Sequence, residues 1–145
     1  MTQAISYVIK NGITTEAQYT YTARDGKCKY DPKTQAFIVS GQNTIPKYDN
    51  DNLKTSVAAG PVSVAIDATV LQFYAGGVVG HLCGHNLDHG VLAVGYGTRE
   101  GKNTWKVKNS WGSAWGVKGY FFVERLSGVQ KAPCGISDMA SYATK

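Results

Sequence analysis

Two stretches of sequence decide the fold: LDHGVLAVGYG at residues 87–97 and WKVKNSWG at residues 105–112. The first stretch is apolar or small from its fourth residue onwards, a pattern typical of a buried strand. The second stretch begins by alternating apolar and polar positions, which predicts a strand with one buried face. His89 stands where the first strand begins, and Asn109 stands where the second one ends. We therefore predict two strands of an antiparallel sheet, each with a polar side chain at one end.

The rest of the chain predicts two helices and further strands. Residues 1–11 have apolar residues at helical spacing and are followed by a glycine, which favours the end of a helix there. A cluster of Asp and Asn at residues 49–52 predicts the N-cap of a short helix at 53–58. Additional strands are predicted at residues 37–48, 62–67 and 120–123. We expect an α+β chain in which antiparallel strands form a sandwich or a partly closed barrel.

Composition excludes several classes of protein. The 145 residues are 43% hydrophobic and carry 15 basic and 10 acidic side chains, a net charge of +5. The charges form no block of five like residues and do not interleave with aromatic residues, so a nucleic-acid partner is not expected. No stretch approaches the roughly 18 consecutive apolar residues of a membrane span, so no membrane partner is expected either.

A metal site is the first chemistry to test, because His81, Cys83, His85 and His89 crowd one short segment. His85 and His89 have the spacing of a zinc-binding histidine pair. They stand, however, on a predicted loop that leads into a strand, and no second cysteine pair completes a ligand set. We expect no metal.

His89 and Asn109 suit acid–base chemistry instead. A histidine at a strand end, followed by a glycine, has room to reach into a cleft as a general base. An asparagine oxygen that accepts from one imidazole nitrogen fixes the tautomer and leaves the other nitrogen free for a nucleophile. A tryptophan covering that contact keeps water away and strengthens it. The two Trp-Gly pairs, at residues 111–112 and 115–116, are also explained by core packing alone.

These motifs resemble the papain and cathepsin L family of cysteine proteases. Further stretches match in the family's order across nearly the whole chain, at residues 19–21, 28–30, 60–67, 119–120, 134–136 and 141–142. The resemblance implies the papain-like α+β fold, with residues 1–36 as the tail of a helical left domain and residues 37–145 as a β-rich right domain. It also implies a peptidase without a cofactor, in a lysosomal, vacuolar or secreted location, bound by cystatin-type or propeptide inhibitors.

The resemblance assigns roles residue by residue. His89 is expected to be the catalytic imidazole, Asn109 its orienting amide, and Trp111 the indole that shields their contact. Asp88 and Trp115 are expected to border the cleft. The S2 pocket, which receives the substrate side chain two residues before the scissile bond, is expected to be lined by Met1, Ala65, Leu87, Gly90 and Met139. Because these residues are apolar or small, we expect substrates with Leu, Val or Phe at that position.

The three cysteines are an odd number, which leaves one unpaired. The resemblance implies a disulfide between Cys83 and Cys134, which closes a loop of about 50 residues and stabilises the fold by roughly 4 kcal/mol. The alternative is that Cys83 is a free nucleophile beside His85. Cys28 resembles a family cysteine whose partner lies upstream, so we expect it to be orphaned or to be linked to a missing N-terminal segment or light chain.

The family's nucleophile is absent from the sequence. Its C-G-[SA]-C-[WY] motif lies about 130–150 residues before the His and Asn, whereas 88 residues precede His89. We therefore expect the cysteine and the oxyanion-hole glutamine upstream of Met1, and we expect this chain alone to be inactive. Two alternatives stay open: a non-catalytic homologue that acts as a binding or structural module, and a silicatein-like protein with an upstream serine.

Overall fold

The computed structural model describes all 145 residues, which divide into two compact units. One unit comprises residues 1–43 and 143–145, and the other comprises residues 44–142. The helices and strands, in chain order, are α1 (Thr2–Asn11), β1 (Gly41–Ile45), α2 (Asn50–Ala59), β2 (Val62–Ile66), β3 (His89–Arg99), β4 (Lys102–Lys108), β5 (Tyr120–Glu124) and β6 (Ala140–Thr144). The assignment of residues 1–36 to the tail of one domain and of 37–145 to another stays a prediction.

The smaller unit is built around α1, the helix that the sequence predicts at residues 1–11. None of its residues is buried, although its apolar side chains share one face. The helix ends at Gly12, whose φ of +75° and close contact with Gln35 exclude a larger residue. The strand predicted from residue 37 begins later: Phe37 makes an isolated bridge to Ile13, and the regular strand starts at Gly41.

The strands form one six-stranded sheet in the order β1-β6-β2-β3-β4-β5. The sheet is not closed into a complete barrel, because β1 and β5 lie at its two edges. The β2–β3, β3–β4, β4–β5 and β2–β6 pairs are all antiparallel. The sequence analysis missed β6, because its residues, ASYAT, are small or polar and show no apolar alternation.

The core of the larger unit lies between this sheet and α2. Asp49 begins α2 by accepting a hydrogen bond from the Asn52 amide at 2.9 Å, as the cap cluster predicts. The helix buries Leu53 and Val57, and the sheet buries its alternate side chains, among them Val62, Val64, Ile66, Val91, Ala93, Trp105, Val107, Phe121 and Val123. Packing of this kind gives β3 and β4 a fixed register, from which the candidate site is built.

Candidate active site

Antiparallel pairing brings His89 and Asn109 to the same edge of the sheet. His89 is the first residue of β3, and Asn109 follows the last residue of β4, so the start of one strand lies beside the end of the other. His89 pairs with Ile66 on β2. Asp88, which the sequence places at the cleft, accepts a hydrogen bond from the Ala68 amide at 2.9 Å and so anchors the chain just before His89.

The hydrogen bonds of Asn109 fix the imidazole tautomer. Its Oδ1 accepts from the Ser110 amide at 2.8 Å and also lies 2.8 Å from His89 Nε2. Because a backbone amide can only donate, the atom facing His89 is the amide oxygen, and Nε2 must carry the proton. His89 Nδ1 is then left as the free nitrogen. Asn109 is 8% exposed, and its backbone amide donates to the Gly119 carbonyl at 3.0 Å, so the acceptor is firmly placed.

Two indoles cover this contact. The Trp111 ring stacks on the His89 ring with a centroid distance of 5.1 Å and an interplanar angle of 26°. Trp115 meets Trp111 edge to face at 5.0 Å, packs against Phe121, and donates its indole N–H to the Leu71 carbonyl at 3.1 Å. Edge-to-face aromatic pairs of this kind are favourable beyond their buried area. Of the two predicted tryptophans, Trp111 therefore contacts His89 directly, and Trp115 contacts Trp111.

The loop that leads to His89 is tied to the larger unit by a disulfide. Cys83 and Cys134 are bonded, with their Cα atoms 4.7 Å apart, so the predicted pairing is confirmed and Cys83 is not a free nucleophile. Both residues are buried. Cys28, in the smaller unit, is free and exposed, and it borders a cavity of ≈ 540 Å³ beside α1.

Asp67, which the sequence analysis did not single out, anchors the same loop. Its Oδ1 accepts from the Thr69 amide at 3.1 Å and its Oδ2 from the Asn86 amide at 3.0 Å. A Cβ on Gly84 would collide with Asp67 Oδ2, so the loop approaches the carboxylate closely at this glycine. The hydrogen bonds from Thr69 lower the pKa of Asp67, with smaller contributions in the same direction from Asn86 and His85, while burial opposes them.

This lowered pKa predicts how stability depends on pH. A carboxylate with a depressed folded-state pKa stabilises the protein above its unfolded value of about 3.9, and the contribution is lost as pH falls through the folded value. We expect Asp67→Asn to be less stable than the parent at pH 7, and we expect the difference to shrink as pH falls below about 4. Urea unfolding followed by tryptophan fluorescence at several pH values measures it. Asp25→Asn, which changes an exposed carboxylate, is the control. A stability difference between Asp67→Asn and the parent that stays constant with pH would contradict the interpretation.

The predicted S2 residues of the larger unit lie close together. Ala65 pairs with Gly90 across β2 and β3, and its amide donates to the Met139 carbonyl at 2.9 Å. Leu87 is half-buried on the loop just before them, and the Met139 residue is 52% exposed. Met1 belongs to the smaller unit, where it caps α1. The shared S2 role of the five residues stays a prediction.

The other histidines have separate surroundings. His85 Nδ1 lies 3.6 Å from Asp138 Oδ2, while the His81 residue is exposed. No group of three or more His, Cys, Asp or Glu residues is arranged to bind a metal ion. None of the helices is both long enough and apolar enough to cross a membrane.

A match to a known protein family shows where the chain belongs. The model for "Papain family cysteine protease" matches residues 1–144. The chain belongs to the papain family of cysteine proteases. It is 47% identical over 149 residues to the oryzain beta chain of Oryza sativa subsp. japonica, covering 100% of this chain and 32% of that protein. It is 47% identical over 140 residues to vignain of Ricinus communis, covering 94% of this chain and 39% of that protein. The papain-family chain thus spans about a third of the length of these curated relatives.

Solved structures show the same papain-like fold. Digestive procathepsin L 3 from the larval midgut of Tenebrio molitor superposes with a TM-score of 0.90 at 43% identity, covering 98% of this chain and 47% of that one. Bromelain from Ananas comosus, in complex with the E64 inhibitor, superposes with a TM-score of 0.88 at 35% identity, covering 98% and 67%. The predicted α+β papain-like fold is confirmed.

Proposed function

We propose that this chain supplies the histidine–asparagine half of the catalytic site of a cysteine endopeptidase, and that a segment outside this sequence supplies the nucleophilic cysteine. The observation that carries the proposal is the 2.8 Å contact between His89 Nε2 and Asn109 Oδ1 under the Trp111 ring. Membership of the papain family makes peptide-bond hydrolysis the matching chemistry.

The proposed mechanism gives each group one step. With Nε2–H committed to Asn109, His89 Nδ1 is the nitrogen that takes the proton of the cysteine thiol, forming a thiolate–imidazolium pair. The thiolate attacks the peptide carbonyl, and the imidazolium returns its proton to the leaving amine. Water, deprotonated by the same imidazole, then hydrolyses the thioester.

The chain alone is proposed to be inactive, because it has no thiol placed for this attack. The two cysteines of the larger unit are bonded to each other, and Cys28 belongs to the smaller unit. We propose that Cys28 forms a disulfide with the missing N-terminal segment or with a separate light chain.

We propose substrates with an apolar residue two positions before the scissile bond, because Met1, Ala65, Leu87, Gly90 and Met139 offer no charge to bind a basic side chain. Two of the structures similar to this chain are an E64 complex and a procathepsin, which supports inhibitors of the E64 and propeptide kinds as partners. Cystatin-type inhibitors are proposed by family analogy. The disulfide suits an oxidising space, so a vacuolar, lysosomal or secreted location is proposed.

A comparison of two preparations tests the proposed function. The first is this chain alone, and the second is a chimaera in which the chain follows the N-terminal part of the oryzain beta chain that precedes the matched region. We expect the chimaera to hydrolyse fluorogenic peptides with Leu at the second position before the bond, and to prefer them about tenfold or more over Arg peptides. We expect the chain alone to show neither turnover nor labelling by an epoxide inhibitor of cysteine proteases.

Controls separate the outcomes. His89→Ala in the chimaera should abolish turnover while leaving the far-UV circular dichroism unchanged. A folded chimaera without activity would contradict the proposed site. Peptide hydrolysis by the chain alone, sensitive to Cys28→Ser, would contradict the proposal that the nucleophile lies outside this sequence.

A further inference from the structure

Tyr74 lies behind the indole pair that covers the candidate site. It follows the short 3-10 helix Thr69–Phe73 directly. Its ring packs against Trp115 at 5.6 Å and against Phe121 at 6.2 Å. A Cβ on Gly116 would lie 2.7 Å from the Tyr120 carbonyl oxygen and 3.2 Å from the Tyr74 ring, so the turn after Trp115 passes close to this ring.

The phenol is fixed at its other end as well. Tyr74 Oη donates to the Gly77 carbonyl at 2.8 Å and accepts from the Phe122 amide on β5 at 3.3 Å. Burial raises the pKa of Tyr74, which keeps the hydroxyl protonated and able to donate. A side chain secured at ring and hydroxyl has little freedom, so the surface it presents to Trp115 is rigid.

A continuous series of contacts leads from this residue to the imidazole. Tyr74 packs against Trp115, Trp115 packs edge to face with Trp111, and Trp111 in turn stacks on His89. The indole N–H of Trp115 is bonded to Leu71, on the turn just before Tyr74. The position of Trp111 over the imidazole therefore depends on Trp115 and, through Trp115, on Tyr74. Trp111 itself is 38% exposed and has solvent on one side, so it depends on this support.

We propose that Tyr74 is a positioning residue for the His89–Asn109 pair: it holds Trp115 and Trp111 in place and thereby keeps water from the His89 Nε2–H···Oδ1 hydrogen bond. The inference rests on the proposed function. Tyr74 touches neither the imidazole nor a substrate, and its effect passes through the two indoles. Removing its hydroxyl frees the ring to move, and removing its ring leaves Trp115 unsupported.

Proton exchange of His89 measures this effect on the chain as it stands. In the ¹⁵N-histidine-labelled 145-residue protein, the Nε2–H bonded to Asn109 should give a slowly exchanging low-field resonance. We expect Tyr74→Phe to speed its exchange with solvent about fivefold, and Tyr74→Leu about tenfold or more. Tyr142→Phe, which removes a hydroxyl elsewhere against the same core, is the matched control and should leave the rate unchanged. Urea unfolding of each variant measures global stability separately.

The outcomes are distinct. Faster Nε2–H exchange in Tyr74→Phe than in the parent, and still faster exchange in Tyr74→Leu, supports the positioning role. Lower global stability with an unchanged exchange rate would show a merely structural tyrosine and would overturn the inference. If Tyr74→Leu does not fold, Tyr74→Phe alone decides. A parent protein without a protected Nε2–H would contradict the His89–Asn109 pair of the proposed function, whereas a protected Nε2–H whose exchange is unchanged in Tyr74→Phe would overturn the positioning role alone.

Discussion

Replacing Cys83 and Cys134 together by alanine is expected to lower the free energy of unfolding by about 4 kcal/mol. The bond joins residues 51 positions apart in sequence. In the chain-entropy model, removing the cross-link raises the conformational entropy of the unfolded chain and so lowers the free energy of unfolding. A typical domain is stable by only about 5–15 kcal/mol, so the double variant should unfold at a much lower urea concentration.

Cys28→Ser is the matched control for this experiment. Cys28 is exposed and unpaired, so its replacement should change stability by no more than about 0.5 kcal/mol. Reducing the parent protein should reproduce the shift seen in the double variant. A double variant with the parent's unfolding midpoint would contradict the prediction, because it would show that neither the covalent bond nor the packing of the two sulfur atoms stabilises the folded protein.

Most of the fold was predictable because its signals are local. The apolar run of β3 and the alternation of β4 identify two strands from a few consecutive residues. The Asp and Asn cluster predicts the start of α2, although the helix begins at Asn50, within the cluster, and not at residue 53. β6 escaped prediction because nothing in ASYAT distinguishes it locally. It becomes a strand by pairing with β2, where Ser141 lies opposite Ser63. No local sequence pattern indicates a pairing partner so far away along the chain.

Some residues of the candidate site could be predicted from the sequence, and others could not. His89, Asn109 and Trp111 stand in short motifs that resemble a known family, and the structure brings the three together. Asp67 ends the matching stretch at residues 60–67, but the resemblance assigned it no role, and Tyr74 lies outside the matching stretches. Asp67 bonds the amide of a residue 19 positions away, and Tyr74 bonds one 48 positions away, so their roles depend on packing that only the folded chain reveals.

Asn109→Ala, made in the chimaera with an oryzain beta N-terminal part, is expected to lower kcat/KM by about 10²- to 10⁴-fold, the range for loss of a well-placed general acid–base group. The alanine removes the acceptor for Nε2–H, so the imidazole can exchange tautomers and rotate away from the thiol. Because Asn109 orients the imidazole and is not one of the predicted S2 residues, the loss should appear in kcat with little change in KM. Steady-state kinetics with the Leu peptide measures both.

Asn109→Asp separates orientation from charge. The carboxylate keeps an acceptor for Nε2–H and for the Ser110 amide, so the ring should remain oriented and much of the activity should return. Its negative charge, however, favours the imidazolium, and the activity profile should therefore extend to higher pH than in the parent chimaera. His89→Ala gives the residual activity of the chimaera without its imidazole, against which the Asn109 variants are compared. If Asn109→Ala kept full activity, the 2.8 Å contact with His89 would be a packing contact without a catalytic role, and the imidazole would have to be oriented by Trp111 alone.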